Sequence, residues 1–369
     1  SAKDLKYVKA EFLKFCEEQS IINGLGQAIE LVNRRQFLEA VDVFRQSAAA
    51  VAPRDLGHEW KSGWEERLRE NVRDCIPTPW PCLNEIMGGG LAKAELGLVA
   101  GPQGSGKSWV LVHCAVEAMH QGKNVLYITT ELGDKVVAQR IDTVVSGVPS
   151  LELKEKADEV VHMFDDVSGT SYVKWYANGA INAEHIMALV HQHESRGNVF
   201  DMLIVDPPDY MHSIRKTDAR HHELKTIYSE LRGVAGELLI PCWVASQVQR
   251  GALEEEVIYM QHIAESIGKF DVADFGLTWA RTTKMKAEGK ACAHIVKNRN
   301  GPDARIFPAS MDPAIGHLEI FEDSSLGGIG ISTQKHKENL VARQLSRARE
   351  IFGEQLAKKN EASTDETSI

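Results

Sequence analysis

Eight consecutive residues, Gly101-Pro-Gln-Gly-Ser-Gly-Lys107-Ser108, combine what is needed to grip phosphate. Gly101, Gly104 and Gly106 let the backbone curl so that the N–H groups of Gln103, Ser105 and their neighbours converge on phosphate oxygens. Lys107 supplies a mobile charge for the β- and γ-phosphates, and the Ser108 hydroxyl suits Mg²⁺. A helix opening at Lys107 and Trp109 adds its positive end. The expected ligand is ATP with Mg²⁺. About a hundred residues on, Met202-Leu-Ile-Val-Asp206 is an apolar strand ending in a carboxylate, suited to holding that Mg²⁺ through water. Asp209 is the nearby alternative, set apart from the strand by two prolines. Glu131 follows the apolar run NVLYITT and is the candidate base for activating water; the competing reading is an acid near a helix start before Asp134. Gln247 closes CWVASQ and could sense the γ-phosphate through its amide, or be an ordinary loop glutamine.

These residues need strands ending at one edge and helices covering the faces. Short apolar runs at 96–100, 124–129, 202–206, 242–246, 275–280 and 292–297 predict strands, with another expected at 162–167. Helical patterns at 109–120, 134–146, 184–193 and 221–239 alternate with them, which predicts a mostly parallel sheet covered on both sides. The run at 124–129 is expected to lie beside the strand that feeds the glycine loop. Ahead of this, residues 4–50 carry helical periodicity, with Leu5, Val8, Phe12 and Phe15 on one stripe and further helical stretches at 28–32 and 37–51. Residues 52–74 read as a linker, 334–359 as a basic helix and 360–369 as a polar, disordered tail. No internal repeat is visible.

The composition is that of a soluble globular protein, with 43% hydrophobic and 25% charged residues, and no apolar run is long enough to span a membrane. Six scattered cysteines without a CxxC argue against a disulfide framework or a zinc site and fit a reducing cytoplasm. The formal net charge of −10 is a weak argument against nucleic-acid binding, because a local basic face is enough to meet phosphate.

Taken together, DLGHEW (55–60), PTPWPCLNEIMGGGL (77–91), GPQGSGKS, the TTEL segment with Arg140, LIVDPPDY, the ASQ strand and VKNRNGP (296–302) resemble the RecA-like ATPase domain of DnaB-family replicative DNA helicases, bacteriophage type. The resemblance covers about residues 55–321, leaving 1–54 as a helical segment and 322–369 as a C-terminal tail. It implies a RecA-like P-loop core in a homo-oligomeric ring, expected to be a hexamer, that translocates on single-stranded DNA and unwinds duplex. Arg140 joins the nucleotide site by this resemblance. Lys297 and Arg299 become fingers reaching the γ-phosphate of a neighbouring subunit, with a solvated strand end as the competing reading. His294 reads as a packing residue. Two DNA loops are implied, one at 211–222 with Arg215, Lys216 and Arg220, the other at 265–270 with Lys269. The family's usual basic residue before Glu-Ser is Ala264 here, which makes Lys269 the candidate substitute.

About 50 helical residues stand where family members usually carry a separate helical domain, so the chain is either shortened at its front or a reduced phage-type protein. That segment is expected either to dock on an adjacent subunit or to pack on its own ATPase domain. Primase or a helicase loader is an expected partner. Two other functions compete: a RecA-like recombinase forming filaments on DNA, and an ATP-binding adaptor without motor activity. The KNRNGP segment argues against the first, and the intact catalytic positions against the second.

Overall fold

The computed structural model describes residues 2–49, 60–61, 64, 68, 73–214, 220–248 and 250–322. Two compact units divide the chain, Ser1–Val72 and Arg73–Ile369. In the first, α1 (Ala2–Asn33) and α2 (Phe37–Ala49) pack against each other. The stretch at 28–32 continues the first helix rather than starting a second. Gly24 permits the closest approach, since a Cβ there would lie 2.0 Å from Ser47 Oγ. Ile22, Leu25 and Ile29 recur at helical spacing and are exposed. The side chains of Leu5, Val8, Phe12 and Phe15 lie outside the described residues, as do most of the 52–74 linker and all of the C-terminal segment from 323.

The second unit is α/β. It opens with β1 (Cys75–Ile76), α3 (Pro81–Met87) and β2 (Leu91–Ala92), the two strands pairing antiparallel. There follow β3 (Leu96–Gly101), α4 (Lys107–His120), β4 (Val125–Thr129), α5 (Asp134–Ser146), α6 (Ala157–Phe164) and β5 (Ser171–Trp175). Next come α7 (Ala183–Glu194), β6 (Met202–Asp206), α8 (Arg220–Leu238), β7 (Cys242–Gln247), α9 (Ile267–Val272) and β8 (Phe275–Ala280). After α10 (Thr283–Ala287), the strands β9 (Lys290–Asn298), β10 (Ile306–Asp312) and β11 (His317–Ile320) form an antiparallel meander. The nine-stranded sheet has the order β11-β10-β9-β8-β3-β7-β6-β4-β5. From β8 to β5 every neighbouring pair is parallel, as the alternation of strands and helices predicts.

Two expectations need correcting. The segment 162–167 is not a strand: its first residues end α6, and the strand is β5, whose half-buried, polar sequence SYVKW marks it as an edge. Nor does β4 lie beside β3; β7 and β6 stand between them. Chain order does not fix sheet order, because a helical crossover can carry the chain past positions that later strands fill. As a result Gln247 pairs directly with Gly101, and Asp206 with Thr129.

The inner strands are apolar on both faces because both are covered. Val125, Tyr127, Met202 and Ile204 point into a core shared with α3, α4 and α5, while Leu126, Ile128, Leu203 and Val205 point into one shared with α7 and α8. His113 of α4 lies over the first core, its Nε2 2.9 Å from the Gly316 carbonyl, and burial lowers its pKa to about 4. The folded state therefore resists a proton that the unfolded chain accepts. His113 costs no stability above pH 6.5, and stability is lost as the pH falls from there towards 4. The loss is on the order of 2 kcal/mol, discounted for a partly exposed ring. In urea unfolding, the advantage of wild type over His113→Asn should shrink by that amount between pH 7 and pH 4.

Candidate functional site: a phosphate loop and two strand tips

The glycine loop leaves the C-terminal end of β3, where parallel strands in an open sheet present ligand sites. Gly104 (φ 70°) and Gly106 (φ 108°) sit in the left-handed region that favours glycine. At Gly106 the space is closed as well, because a Cβ would lie 2.5 Å from Met311 Sδ. Gln103, Gly104, Gly106, Lys107, Ser108 and Trp109 line the pocket above the loop. Gly101 and Ser105 stand behind it. Gly101 lets β8 approach, since a Cβ there would lie 2.4 Å from the Trp279 carbonyl, and Trp279 Nε1 donates to the Ser105 carbonyl at 3.0 Å. Ser105 Oγ is buried with no hydrogen-bond partner among the described residues.

Lys107 is 9% exposed, and its Nζ donates to the Gly101 and Pro102 carbonyls at 2.9 Å each. Burial lowers its pKa, against the opposing pull of Asp206, Glu131 and Asp209. Asp206, at the tip of β6, is 4% exposed. Burial raises its pKa, while hydrogen bonds from Ser108 and Tyr127 and the charge of Lys107 work the other way. The Tyr127 hydroxyl donates to Asp206 Oδ2 at 2.9 Å. A serine hydroxyl bonded to a buried carboxylate beside a lysine is an oxygen donor set that fits a hard cation such as Mg²⁺. Asp209 has different engagements: its carboxylate takes the Gln247 backbone N–H at 3.0 Å and pairs with Lys269.

Glu131 is exposed at the tip of β4 and lines the same pocket as the loop. The following helix starts without it: Gly133 is the N-cap residue, and Thr129 Oγ1 accepts from the Leu132 N–H at 3.1 Å. The two strand tips are tied together, with Thr130 N donating to the Asp206 carbonyl at 3.0 Å and Thr130 Oγ1 to that of Pro207 at 2.6 Å. Gln247 also lines the pocket, and its Nε2 donates to the Tyr210 hydroxyl at 3.3 Å. Arg140 of α5 stacks over Trp109, its Cζ 5.1 Å from the ring centroid, so both reach one wall. The same pocket is lined by Arg281, Met311 and Pro313, which sequence reasoning missed. Arg281 is 8% exposed and donates to the Met311 carbonyl at 3.0 Å. No motif marks these residues, because only the meander brings them to the loop.

Lys297 and Arg299 lie at the other edge of the sheet. Lys297 pairs with Gly276, near the start of β8, and its Nζ donates to the Phe270 and Asp271 carbonyls at 2.6 and 2.8 Å. Burial lowers its pKa, and the Arg299 charge adds to this. Arg299 Nη1 donates to Asp274 Oδ1 at 2.9 Å. Gly97 of β3 pairs with Phe275, so about four residues of strand, roughly 14 Å, separate this edge from Gly101. His294 is a packing residue as expected, buried against Tyr259 with Nδ1 2.9 Å from the Ile258 carbonyl.

Of the DNA-loop residues, Arg215 and Lys216 lie outside the described residues; Arg220 opens α8, its side chain likewise outside them. Lys269 departs from expectation. It is 4% exposed and bonded to Asp209 and Ser246, because an ammonium enclosed among apolar groups must be paired, and a carboxylate is at hand.

The family model of the DnaB-like helicase C terminal domain matches residues 75–308, well over half of the chain. The DnaB-like replicative helicase of Enterobacteria phage T4 is 25% identical over 329 residues, an alignment covering 82% of this chain and 69% of that protein. Among solved structures, a DnaB-like replicative helicase studied with its interactions with primase superposes with a TM-score of 0.68 at 16% identity, covering 87% of this chain and 80% of that one. A second solved structure, of an ATPase domain, superposes with a TM-score of 0.60 at 17% identity, covering 71% of this chain and 96% of that one.

Proposed function

The chain belongs to the DnaB-like helicase C-terminal domain family, and from that membership and the geometry of its site we propose how it works as an ATP-hydrolysing replicative DNA helicase. The observation that carries the reading is the division of the site between two edges of one sheet. Phosphate-binding groups gather at the C-terminal ends of β3, β6, β7 and β4, while Lys297 and Arg299 sit at the opposite edge. A finger roughly 14 Å from its own loop cannot touch its own γ-phosphate, but it can serve a neighbour's in a ring. Each ATP is then hydrolysed at a subunit interface, and each hydrolysis bears on the next subunit.

Within one subunit, Lys107 neutralises the β- and γ-phosphates, and Ser108 and Asp206 hold Mg²⁺. Gly104, Gly106 and Gln103 cradle the phosphates, while Trp109 and Arg140 close one wall. Glu131 orients and deprotonates the attacking water, and Gln247 senses the γ-phosphate. Single-stranded DNA passes the loop that carries Arg215, Lys216 and Arg220, which track its phosphates. The ring is expected to be a hexamer working with a primase in the bacterial cytoplasm; among the described residues no helix is long and apolar enough to cross a membrane.

Glu131→Gln tests the water-activating role. It should retain nucleotide binding and lower turnover by about 10²- to 10⁴-fold, with unwinding of a forked duplex lost in parallel. Turnover within a factor of about three of wild type would move the base elsewhere.

A further inference from the structure

Lys269 occupies a place where an ammonium is costly to bury, and the groups that compensate it come from three other parts of the fold. Its Nζ meets the Asp209 carboxylate, in the turn after β6, and donates to Ser246 Oγ of β7 at 2.9 Å. It also lies 5.3 Å from the centroid of the Tyr228 ring on α8. Lys269 itself belongs to α9, within the segment 265–270 expected to meet DNA. The Tyr228 hydroxyl lies 3.1 Å from the Ala245 carbonyl and 3.4 Å from Asp209 Oδ1. The other Asp209 oxygen accepts the backbone N–H of Gln247 at 3.0 Å, and the side chain of Gln247 reaches the hydroxyl of Tyr210, the residue next to Asp209. Asp209 therefore touches both the tip residue of β7, which faces the nucleotide pocket, and the lysine of α9. Buried ion pairs add little stability over well-packed apolar residues, so what this pair supplies is geometry.

We propose that the Asp209–Lys269 pair is a positioning device that fixes Gln247 and links the nucleotide pocket to α9, so that phosphate state and DNA engagement report on each other. The proposal rests on the reading of Gln247 as the γ-phosphate sensor. Asp209 and Lys269 are positioning residues: neither lines the pocket. Their charges nevertheless reach Lys107 with opposite signs, so removing one partner perturbs the phosphate site while removing both leaves its net charge unchanged.

The test uses the full chain with Asp209→Asn, Lys269→Met, the double variant and Gln247→Ala. Turnover is measured with and without saturating oligo-deoxythymidine, and affinity with a fluorescent ATP analogue. Both single variants and the double variant should lose about tenfold in the ratio of DNA-stimulated to unstimulated turnover, with nucleotide affinity in the double variant changed less than about threefold. If the double variant recovers full stimulation, the pair matters only as compensated charge and the proposal falls. A shift in the half-saturating DNA concentration at unchanged maximal stimulation would make Lys269 a DNA contact and would also overturn it. Gln247→Ala that keeps full stimulation defeats the sensor reading underneath; Gln247→Ala that loses it while the double variant keeps it defeats the pair alone. Should the charge variants fail to fold, Tyr228→Phe removes one hydroxyl and no charge. It should cut the stimulation ratio by about threefold, and an unchanged ratio counts against the device.

Discussion

Lys107→Ala should abolish DNA-stimulated ATP hydrolysis, lowering turnover by about 10³-fold or more, and should weaken nucleotide binding as well. Two effects act together. The lost ammonium no longer offsets the charge that builds on the phosphoryl oxygens in the transition state, and this accounts for most of the loss. The substitution also removes Nζ as a donor to the carbonyls of Gly101 and Pro102, at 2.9 Å each, although both keep a backbone donor, Val248 N at 3.2 Å and Ser105 N at 3.3 Å. Because neither carbonyl is left unpaired, the cost to the loop is modest, about 1 kcal/mol for each bond lost. Lys107→Met loses the same charge and the same two hydrogen bonds but keeps the length of the stem, so its difference from Lys107→Ala reports on packing alone. Phosphate release in the presence of single-stranded DNA checks the first effect, and equilibrium binding of a fluorescent ATP analogue the second. Persistent DNA-stimulated hydrolysis in Lys107→Ala would place the active site elsewhere.

The parts of this site that were legible in the sequence are those where covalent order and spatial order coincide. Gly101 to Ser108 is one continuous loop, and its conformation follows from where the glycines stand. The strands carrying Asp206 and Gln247 could be read because full burial on both faces demands unbroken apolar runs. What failed is what depends on lateral order. Nothing local in NVLYITT says that two later strands will separate it from the loop strand. β5 was missed because an edge strand need not be apolar, and β10 because Pro308 interrupts a pattern that otherwise alternates through Phe307, Ala309 and Met311. The surroundings of Lys269 are hidden in the sequence for a related reason. Nothing local to Gly268-Lys269-Phe270 shows an acidic partner, and the fold brings Asp209 from 60 residues away to meet it. The trans role proposed for Arg299 rests on the resemblance carried by VKNRNGP; β9, running antiparallel to β8, carries the residue to the edge away from its own loop.

Arg299→Ala should eliminate hydrolysis while leaving folding and nucleotide binding intact. Asp274 is 4% exposed and gathers three donors besides Arg299 Nη1. Leu96 N and Arg232 Nε donate to Oδ2 at 2.9 and 3.0 Å, and Arg232 Nη2 to Oδ1 at 2.9 Å. With Arg232 in place the buried carboxylate stays compensated when Arg299 is removed. Arg299 is 46% exposed, so the loss of stability should be below about 1 kcal/mol. The catalytic loss should be far larger, about 10³-fold or more, because a guanidinium aimed at the transferring phosphoryl group acts on charge that appears only in the transition state. Rings assembled from wild-type and variant subunits distinguish a finger from a strand-end arginine. If each site borrows Arg299 from its neighbour and successive sites fire in turn, one variant subunit stalls the whole ring. Activity then falls more steeply than the wild-type fraction as variant is mixed in. Activity strictly proportional to wild-type content would assign Arg299 to its own subunit. The bond from Leu96 to Asp274 gives the steep outcome a structural route: the carboxylate that holds the finger also holds the first residue of the strand that ends in the phosphate loop. If Arg299 serves a neighbour's nucleotide, its displacement would be felt at the base of the strand that feeds its own phosphate loop.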